Sequence, residues 1–253
     1  MPKFFVSPAG ISGQTIKICG LDAKHLIKVL RKSVGDDIIV CDGCGFDYHG
    51  TIREISGTQE VLLDIREKCK NLCEPEVKVT LYQCVSKGSK MDEVVQKCTE
   101  LGVSAIVPFL SARTVVRDDA EGFSKKQLRW QKTADEAVKQ CMRGVIPQVG
   151  QTLSFSEMLR HATEHSFCIM PYEECDTPGL KEALLSAPSD CRDVGIIIGS
   201  EGGFEQAEVE QAQSMGILPV TLGNRILRTE TAGAAVLGCV MYQMDQMKKN
   251  KGV

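Results

Sequence analysis

The chain has 253 residues, 43% of them hydrophobic and 25% charged, which are ordinary globular values and exclude a disordered or low-complexity polymer. The formal net charge of −3 gives no overall cationic surplus to announce a nucleic-acid ligand. No run approaches the roughly 20 apolar residues of a membrane helix, and the opening MPKFFVSPAGISGQ lacks the apolar core of a secretory signal, so we expect a soluble, cytoplasmic protein.

The first seventy or so residues read as a small β-rich module. Thr15–Ile18 has strand character, and Asp22 is placed to cap a short helix over Ala23–Arg31. Asp37–Cys41 is apolar and runs into the turn Asp42-Gly43-Cys44-Gly45. Phe46, Tyr48, Gly50 and Ile52 then alternate with polar positions, and Val61–Ile65 supplies a further strand. Short strands joined by tight turns indicate a small barrel. Cys69–Glu76, with Pro75, reads as the linker, which sets the expected domains at 1–74 and 75–253.

From Val77 strands alternate with helices. Val77–Val85 and Val103–Leu110 are strands on either side of a helix whose apolar stripe is Met91, Val94, Val95, Cys98 and Leu101, ended by Gly102. Ser124 is expected to cap a long helix reaching about Met142, with Leu128, Ala134, Ala137, Val138 and Cys141 facing inward. Helices at Phe155–His161 and Gly179–Leu185 flank a strand at Ser166–Met170. Val194–Ile198, wholly apolar, fits a parallel strand buried on both faces. A helix over Glu205–Met215, a strand over Ile217–Leu222 and a final helix from Glu230 to Met247 complete an α/β domain with a mostly parallel sheet.

The 12 cysteines are scattered. Cys41-Asp-Gly-Cys44 is the one CxxC, with no second pair or neighbouring histidines to complete a zinc site, so no metal is expected. Charge is unevenly distributed: Lys87–Arg143 holds 11 basic against 8 acidic residues, whereas Gly144–Val220 holds 3 against 12. That contrast gives the chain a local cationic face despite its acidic total, although a solvated surface accounts for much of the same pattern.

Two loops carry the chemistry. In Gly195-Ile-Ile-Ile-Gly199-Ser200-Glu201-Gly202-Gly203-Phe204 an apolar strand enters a glycine-rich loop ahead of a helix, where backbone can approach a ligand closely. A tight turn with no ligand fits this loop equally well. It is neither a dinucleotide fingerprint, since GxGxxG is absent, nor a P-loop, which disfavours a Rossmann oxidoreductase. The second loop, Leu222-Gly-Asn-Arg-Ile-Leu-Arg228-Thr-Glu230-Thr-Ala232, also joins a strand to a helix. Glu230 suits a first helical turn; Arg228 does not, because a cation opposes the positive end of the helix. The last helix opens Ala232-Gly-Ala-Ala235 and contains Gly238, a density of small residues that permits close packing, as at a subunit contact.

GSEGG followed some twenty residues later by LGNRILRTETA resembles the signature pair of the RsmE-type 16S rRNA uridine-N3 methyltransferases, of the SPOUT class. Lys87–Met91, Gln96-Lys97 and Glu100–Val103 resemble that family's first helix. Trp130–Lys132, Glu136-Ala137 and Gln140–Arg143 resemble its long helix, and His25-Leu26 with Val29–Arg31 its PUA-like RNA-binding module. The resemblance implies a parallel sheet with a C-terminal trefoil knot behind a PUA-like β-barrel. It also implies S-adenosyl-L-methionine as cofactor, 16S rRNA of the small ribosomal subunit as partner, and a homodimer. Carried onto this sequence, it assigns the cofactor to Met170, Pro171, Gly199, Glu201, Gly202, Leu222, Gly223, Ile226 and Leu227. Arg228 is expected to stabilise the deprotonated base and Glu230 to orient Arg228 or accept the proton. Arg31, Lys90, Arg113, Arg129 and Arg143 are the expected RNA contacts. His25, though it matches a family position, and Trp130 are read as structural. Ser200 stands where the family has proline, and Lys139 where it has glutamate. A non-catalytic ribosome-assembly protein, or a SPOUT enzyme acting on tRNA or 23S rRNA, are the alternatives.

Overall fold

The computed structural model describes residues 3–173 and 177–249, with side chains to residue 244. The chain forms two compact units, Met1–Glu74 with Val138–Ile146, and Pro75–Ala137 with Pro147–Val253.

The first unit is built on a six-stranded sheet. Its strands are β1 (Lys3–Phe5), β2 (Ile11–Ser12), β3 (Thr15–Cys19), β4 (Asp37–Cys41), β5 (Phe46–Ser56) and β6 (Glu60–Lys70), in the order β1-β4-β5-β6-β3-β2. All neighbours are antiparallel except β1 and β4. Alternate residues of these strands (Ile16, Ile18, Ile38, Val40, Ile52, Val61, Leu63) form the core with Phe4, Leu26 and Tyr48. β5 and β6 run well past the strands read from the sequence, and Cys69 and Lys70 are ladder rather than linker. Beyond the core the ladder is carried by polar cross-strand pairs, Arg53 with Asp64 at 3.0 Å and Lys68 over the Phe46 ring at 4.3 Å, which leave no apolar alternation to read.

Asp22 does not cap the helix that follows β3. Gly20, at φ +69°, turns the chain straight into α1 (Gly20–Lys24), so Asp22 sits inside the first turn. A π-helical turn over His25–Val29 continues it, and Arg31 ends it in the left-handed region at φ +51°. Residues 138–146 belong to this unit through buried polar contacts. Lys3 Nζ lies 2.6 Å from Asp47 and donates to the Met142 carbonyl at 3.2 Å. The Glu74 carboxylate accepts from the Gly144 and Val145 N–H groups at 2.7 and 2.9 Å and from Arg143 Nη2 at 2.9 Å.

The second unit alternates strand and helix: β7 (Lys78–Cys84), α2 (Lys90–Glu100), β8 (Ala105–Leu110), α3 (Ala120–Cys141), β9 (Gln148–Val149), β10 (Leu153–Ser154), α4 (Phe155–Ala162), β11 (Phe167–Pro171), α5 (Leu180–Ser186), β12 (Asp193–Ile198), α6 (Gln206–Ser214), β13 (Leu218–Val220) and α7 (Thr229–Lys249). The sheet runs β10-β8-β7-β12-β11-β13, with β9 also on β8, and every pairing is parallel. Both faces are covered. Val79, Leu81, Ile196 and Ile198 pack on one side with α2 and α7 residues such as Val94 and Leu237, while Tyr82, Cys84 and Ile197 pack on the other with Met158, Phe204 and Val209. Such double burial is why β12 reads as an unbroken apolar run. From β13 at one edge, the chain returns to the middle of the sheet, where α7 packs on α2, β7 and β12.

Two sequence expectations fail in α3. Asp119, not Ser124, starts the helix, its carboxylate accepting the Gly122 N–H at 2.7 Å, while Ser124 sits a turn inside and bonds back to the Ala120 carbonyl. Leu128 is 72% exposed, and the buried stripe instead runs through Trp130, Ala134, Ala137 and Val138. Trp130 sits four residues before Ala134, so it is the residue in phase with that face. α4 opens with a reciprocal box in which Ser154 and Glu157 satisfy each other's main-chain N–H. The Ser154 hydroxyl and N–H hold the Glu157 carboxyl below its ordinary range.

Candidate functional site

Loops leave the carboxyl ends of the parallel strands, the end at which open α/β sheets receive ligands. Two of them are the motifs singled out in the sequence. Gly199–Phe204 follows β12, and Thr221–Arg228 joins β13 to α7. They meet at Thr229, a buried residue whose hydroxyl donates to the Gly199 carbonyl at 2.6 Å and accepts from Gln83 Nε2 at 2.8 Å. One hydroxyl thus joins β7, the loop after β12 and the start of α7.

The Gly199–Phe204 loop is shaped by contacts that only glycine allows. A Cβ on Gly199 would lie 2.9 Å from the Phe204 ring, and Gly203 adopts φ +68°. Phe204 is buried and stacked on Phe109 at 6.5 Å, so it cannot yield without opening the core. Arg113, in the loop after β8, donates to the Gly202 carbonyl at 2.9 Å. Glu208 accepts from Ala112 N–H at 2.8 Å and from Glu205 N–H at 2.9 Å, tying that loop to α6. Ser200 is buried, and its hydroxyl lies 3.4 Å from both the Arg113 and Gly203 carbonyls.

Charged side chains converge beside these loops. Lys90 Nζ lies 2.9 Å from Glu201 Oε1 and 3.8 Å from Glu230 Oε2, and Glu230 Oε1 is 4.0 Å from Arg228 Nη1. Arg228 is 84% exposed at the side chain, whereas Glu230 is 12% exposed and its Oε2 has no hydrogen-bond partner among the described residues. Burial pushes the Glu201 carboxyl up, but the Lys90 hydrogen bond and the Glu201 and Lys87 N–H groups outweigh it and leave the group below its ordinary range.

The expected cofactor residues lie on neighbouring loops of this sheet end, with unequal exposure. Met170 is fully buried in the core at the end of β11, and Pro171 is half-buried. Leu222 and Leu227 pack partly into the core, Gly223 turns the chain at φ +88°, and Ile226 is 83% exposed. The expected RNA contacts differ in what holds each side chain. Lys90 and Arg113 are engaged by Glu201 and Gly202 at the loops, and Arg129 pairs with Asp92 at 3.0 Å on the flank of α2. Arg31 is exposed in the first unit. Arg143 is a correction: its side chain is 3% exposed and forked onto Glu74, so it holds residues 138–146 in place rather than presenting a cation to RNA. Lys139, at the position where the family has glutamate, lies 3.7 Å from Asp22.

Comparison with known proteins bears on this arrangement directly. Residues 73–241 match the family model for an RNA methyltransferase domain, and residues 18–65 that for an RNA methyltransferase PUA domain. The chain is 34% identical over 92% of its length to Ribosomal RNA small subunit methyltransferase E of Bacillus subtilis, and covers 92% of that protein. The chain belongs to the small subunit methyltransferase E family. A crystal structure of the family member from Neisseria gonorrhoeae, bound to S-adenosyl methionine, superposes with a TM-score of 0.82 at 30% identity, covering 96% of this chain and 97% of that one. A putative methyltransferase from Legionella pneumophila, in complex with the bound cofactor SAM, gives 0.81 at 29% identity, covering 95% and 96%.

Within the methyltransferase E frame, two residues matter that the sequence reading did not single out. Gln83 and Glu208 are buried polar side chains that pin the loops, while Lys90, expected as an RNA contact, stands between two carboxylates. Gln83 carries the one legible signal, as a polar residue in an otherwise apolar stretch, Leu81–Val85. Among the described residues no cluster of His, Cys, Asp and Glu is placed to hold a metal ion, and no helix is long and apolar enough to cross a membrane.

Proposed function

We propose that the chain is an S-adenosyl-L-methionine-dependent methyltransferase that modifies N3 of a uridine in 16S rRNA of the small ribosomal subunit. The observation that carries this reading is the junction of the two glycine-bearing loops at Thr229, on the ligand-receiving end of a parallel sheet. The residues fit the cofactor: the backbone at Gly223 is open to close approach, with apolar surface from Leu222, Ile226 and Leu227 beside it. Gly199, Glu201, Gly202, Leu222, Gly223, Ile226 and Leu227 would hold it, with Met170 and Pro171 at its margin. Bound S-adenosylmethionine supplies an electrophilic methyl group on a sulfonium.

The protein's own contribution is electrostatic and positional. Uracil N3 becomes nucleophilic when its proton leaves, and the negative charge spreads onto the flanking carbonyl oxygens. The exposed Arg228 guanidinium stabilises that charge, an effect worth about 10²–10³ in rate for one well-placed donor. Glu230, 12% exposed, orients Arg228 from 4.0 Å. Arg31, Arg113 and Arg129 contact RNA, with Arg113 also anchoring the Gly202 loop. Functionally the chain divides into an RNA-binding module, 1–74, and a methyltransferase domain, 75–253. The return of the chain from β13 to mid-sheet is the crossing of a trefoil knot. The exposed stripe Thr231, Ala235, Cys239 and Tyr242 on α7 receives a second copy, giving a homodimer working in the cytoplasm.

The test is transfer of labelled methyl from S-adenosylmethionine to small subunits lacking the modification, with the base identified by mass spectrometry. N3-methyluridine is expected, reduced about 10²–10³-fold in Arg228→Ala with cofactor affinity retained. Cofactor binding without transfer to subunits or 16S rRNA would remove the assigned substrate.

A further inference from the structure

Lys90 is the first residue of α2, where four main-chain N–H groups point outward and the helix end is positive. A cation is disfavoured there unless something stronger holds it. What holds it comes from far along the chain. Glu201, in the loop after β12, lies 2.9 Å from the ammonium, and Glu230, in the first turn of α7, lies 3.8 Å away. The Lys90 and Glu201 side chains are each about a third exposed and Glu230 only 12%, so this cluster sits at the edge of the protein rather than on an open face. The charges alternate Glu201, Lys90, Glu230, Arg228 and sum to zero.

We propose that Lys90 is a positioning residue of the methyl-transfer site, its ammonium clamping Glu201 of one cofactor loop to Glu230 at the end of the other. The clamp rests on the functional reading given above and adds to it a residue that touches neither base nor cofactor. Without the ammonium, the two carboxylates face each other with no cation between them, and they move apart, Gly202 shifting with Glu201. Glu230 is then no longer held beside Arg228. A phosphate contact is the competing use of Lys90, but a phosphate reaching this ammonium must displace Glu201 and approach two carboxylates. Supporting the clamp, the Glu201 hydrogen bond raises the Lys90 pKa above its ordinary value.

Lys90→Met, Lys90→Arg and Glu201→Gln are compared with wild type for S-adenosylmethionine binding by calorimetry, kcat on unmodified small subunits, and subunit affinity at two salt concentrations. A clamp predicts that Lys90→Met lowers kcat about tenfold, with subunit affinity and its salt slope unchanged. Lys90→Arg, which still spans two carboxylates, restores kcat to within about threefold. Glu201→Gln lowers kcat similarly, and adding it to Lys90→Met costs little more. The clamp is overturned if Lys90→Met keeps kcat and instead loses subunit affinity, its salt slope falling by about one unit. Unchanged kcat and affinity overturn it as well. Wild-type protein that binds no S-adenosylmethionine overturns the reading of the loops themselves, which separates the two failures. Should Lys90→Met fold poorly by thermal melt, the rescue by Arg and the Glu201→Gln comparison decide alone.

Discussion

The Thr229 hydroxyl gives the sharpest test of how the site is held. Replacing Thr229 by Val keeps shape and volume but removes a donor to the Gly199 carbonyl at 2.6 Å and an acceptor for Gln83 Nε2 at 2.8 Å. Gln83 is fully buried, its Oε1 has no hydrogen-bond partner among the described residues, and its remaining bond, to the Cys84 carbonyl, is long at 3.3 Å. A buried polar group stripped of its partner costs about 1–3 kcal/mol. Gln83 bears nearly all of that, and the half-buried Gly199 carbonyl bears less because water reaches it in part. We therefore expect Thr229→Val to lose about 2–3 kcal/mol, a fall of about 4–12 °C in melting temperature for a unit of this size. Thr229→Ser, which deletes one methyl and keeps the hydroxyl, should lose about 1 kcal/mol. The assay is urea denaturation of both variants, with S-adenosylmethionine affinity alongside. Equal destabilisation by Val and Ser would show that the hydroxyl pins nothing.

Arg143→Ala leaves the half-buried Glu74 carboxylate without its fork and should cost about 1–3 kcal/mol by urea denaturation. The salt slope of subunit binding should not change, and a change in slope with stability intact would return Arg143 to the RNA surface. Arg31→Gly removes a side chain from φ +51°, which should stabilise the first unit by up to about 1 kcal/mol while weakening subunit binding. Denaturation and binding measured on one preparation check both signs. Burial pushes the thiols of Cys41, Cys98 and Cys168 from 9.0 up to about 12. Below pH 9 these thiols are protonated in both states; above it the unfolded chain ionises first, so stability should decline between pH 9 and about 12. A urea midpoint flat across that window would contradict the burial. Near neutral pH the exposed Cys19, Cys44, Cys73 and Cys239 should take up a thiol reagent before those three, readable by mass spectrometry.

How much of this was legible beforehand follows from the range of each interaction. The alternation of strand and helix, and the burial of β12 on both faces, are local patterns, and they read correctly in Val194–Ile198 and in Met91, Val94, Val95 and Cys98, although Leu101, expected on the same stripe, is 41% exposed. Where reading failed, the deciding contact was either polar or out of phase by one or two residues. Asp119 begins α3 through a carboxylate bond that Ser124 was equally entitled to make. Leu128 looks inward by type, yet the register through Ala134 and Val138 puts Trp130 there instead. The π-helical turn at His25–Val29 inserts an extra residue that no 3.6-residue period anticipates.

The site divides along the same line. Its glycines are visible because each records a backbone constraint at its own position, as Gly203 and Gly223 do with positive φ. Its charges are not, because a cation's role depends on what faces it. Lys90, Arg113, Arg129 and Arg143 are alike in sequence as basic residues of one cationic stretch. In the structure they meet, respectively, the carboxylates of Glu201 and Glu230, a loop carbonyl, a carboxylate on α2 and a half-buried glutamate. The acidic partner of Lys90 is 111 residues away, a separation no local pattern encodes. Net positive charge along a segment therefore overstates its capacity to bind RNA here. Most of these cations are already paired within the protein, so the cationic face offered to the subunit is smaller than the sequence implies. The salt slope of subunit binding should accordingly reflect Arg31 more than Arg143.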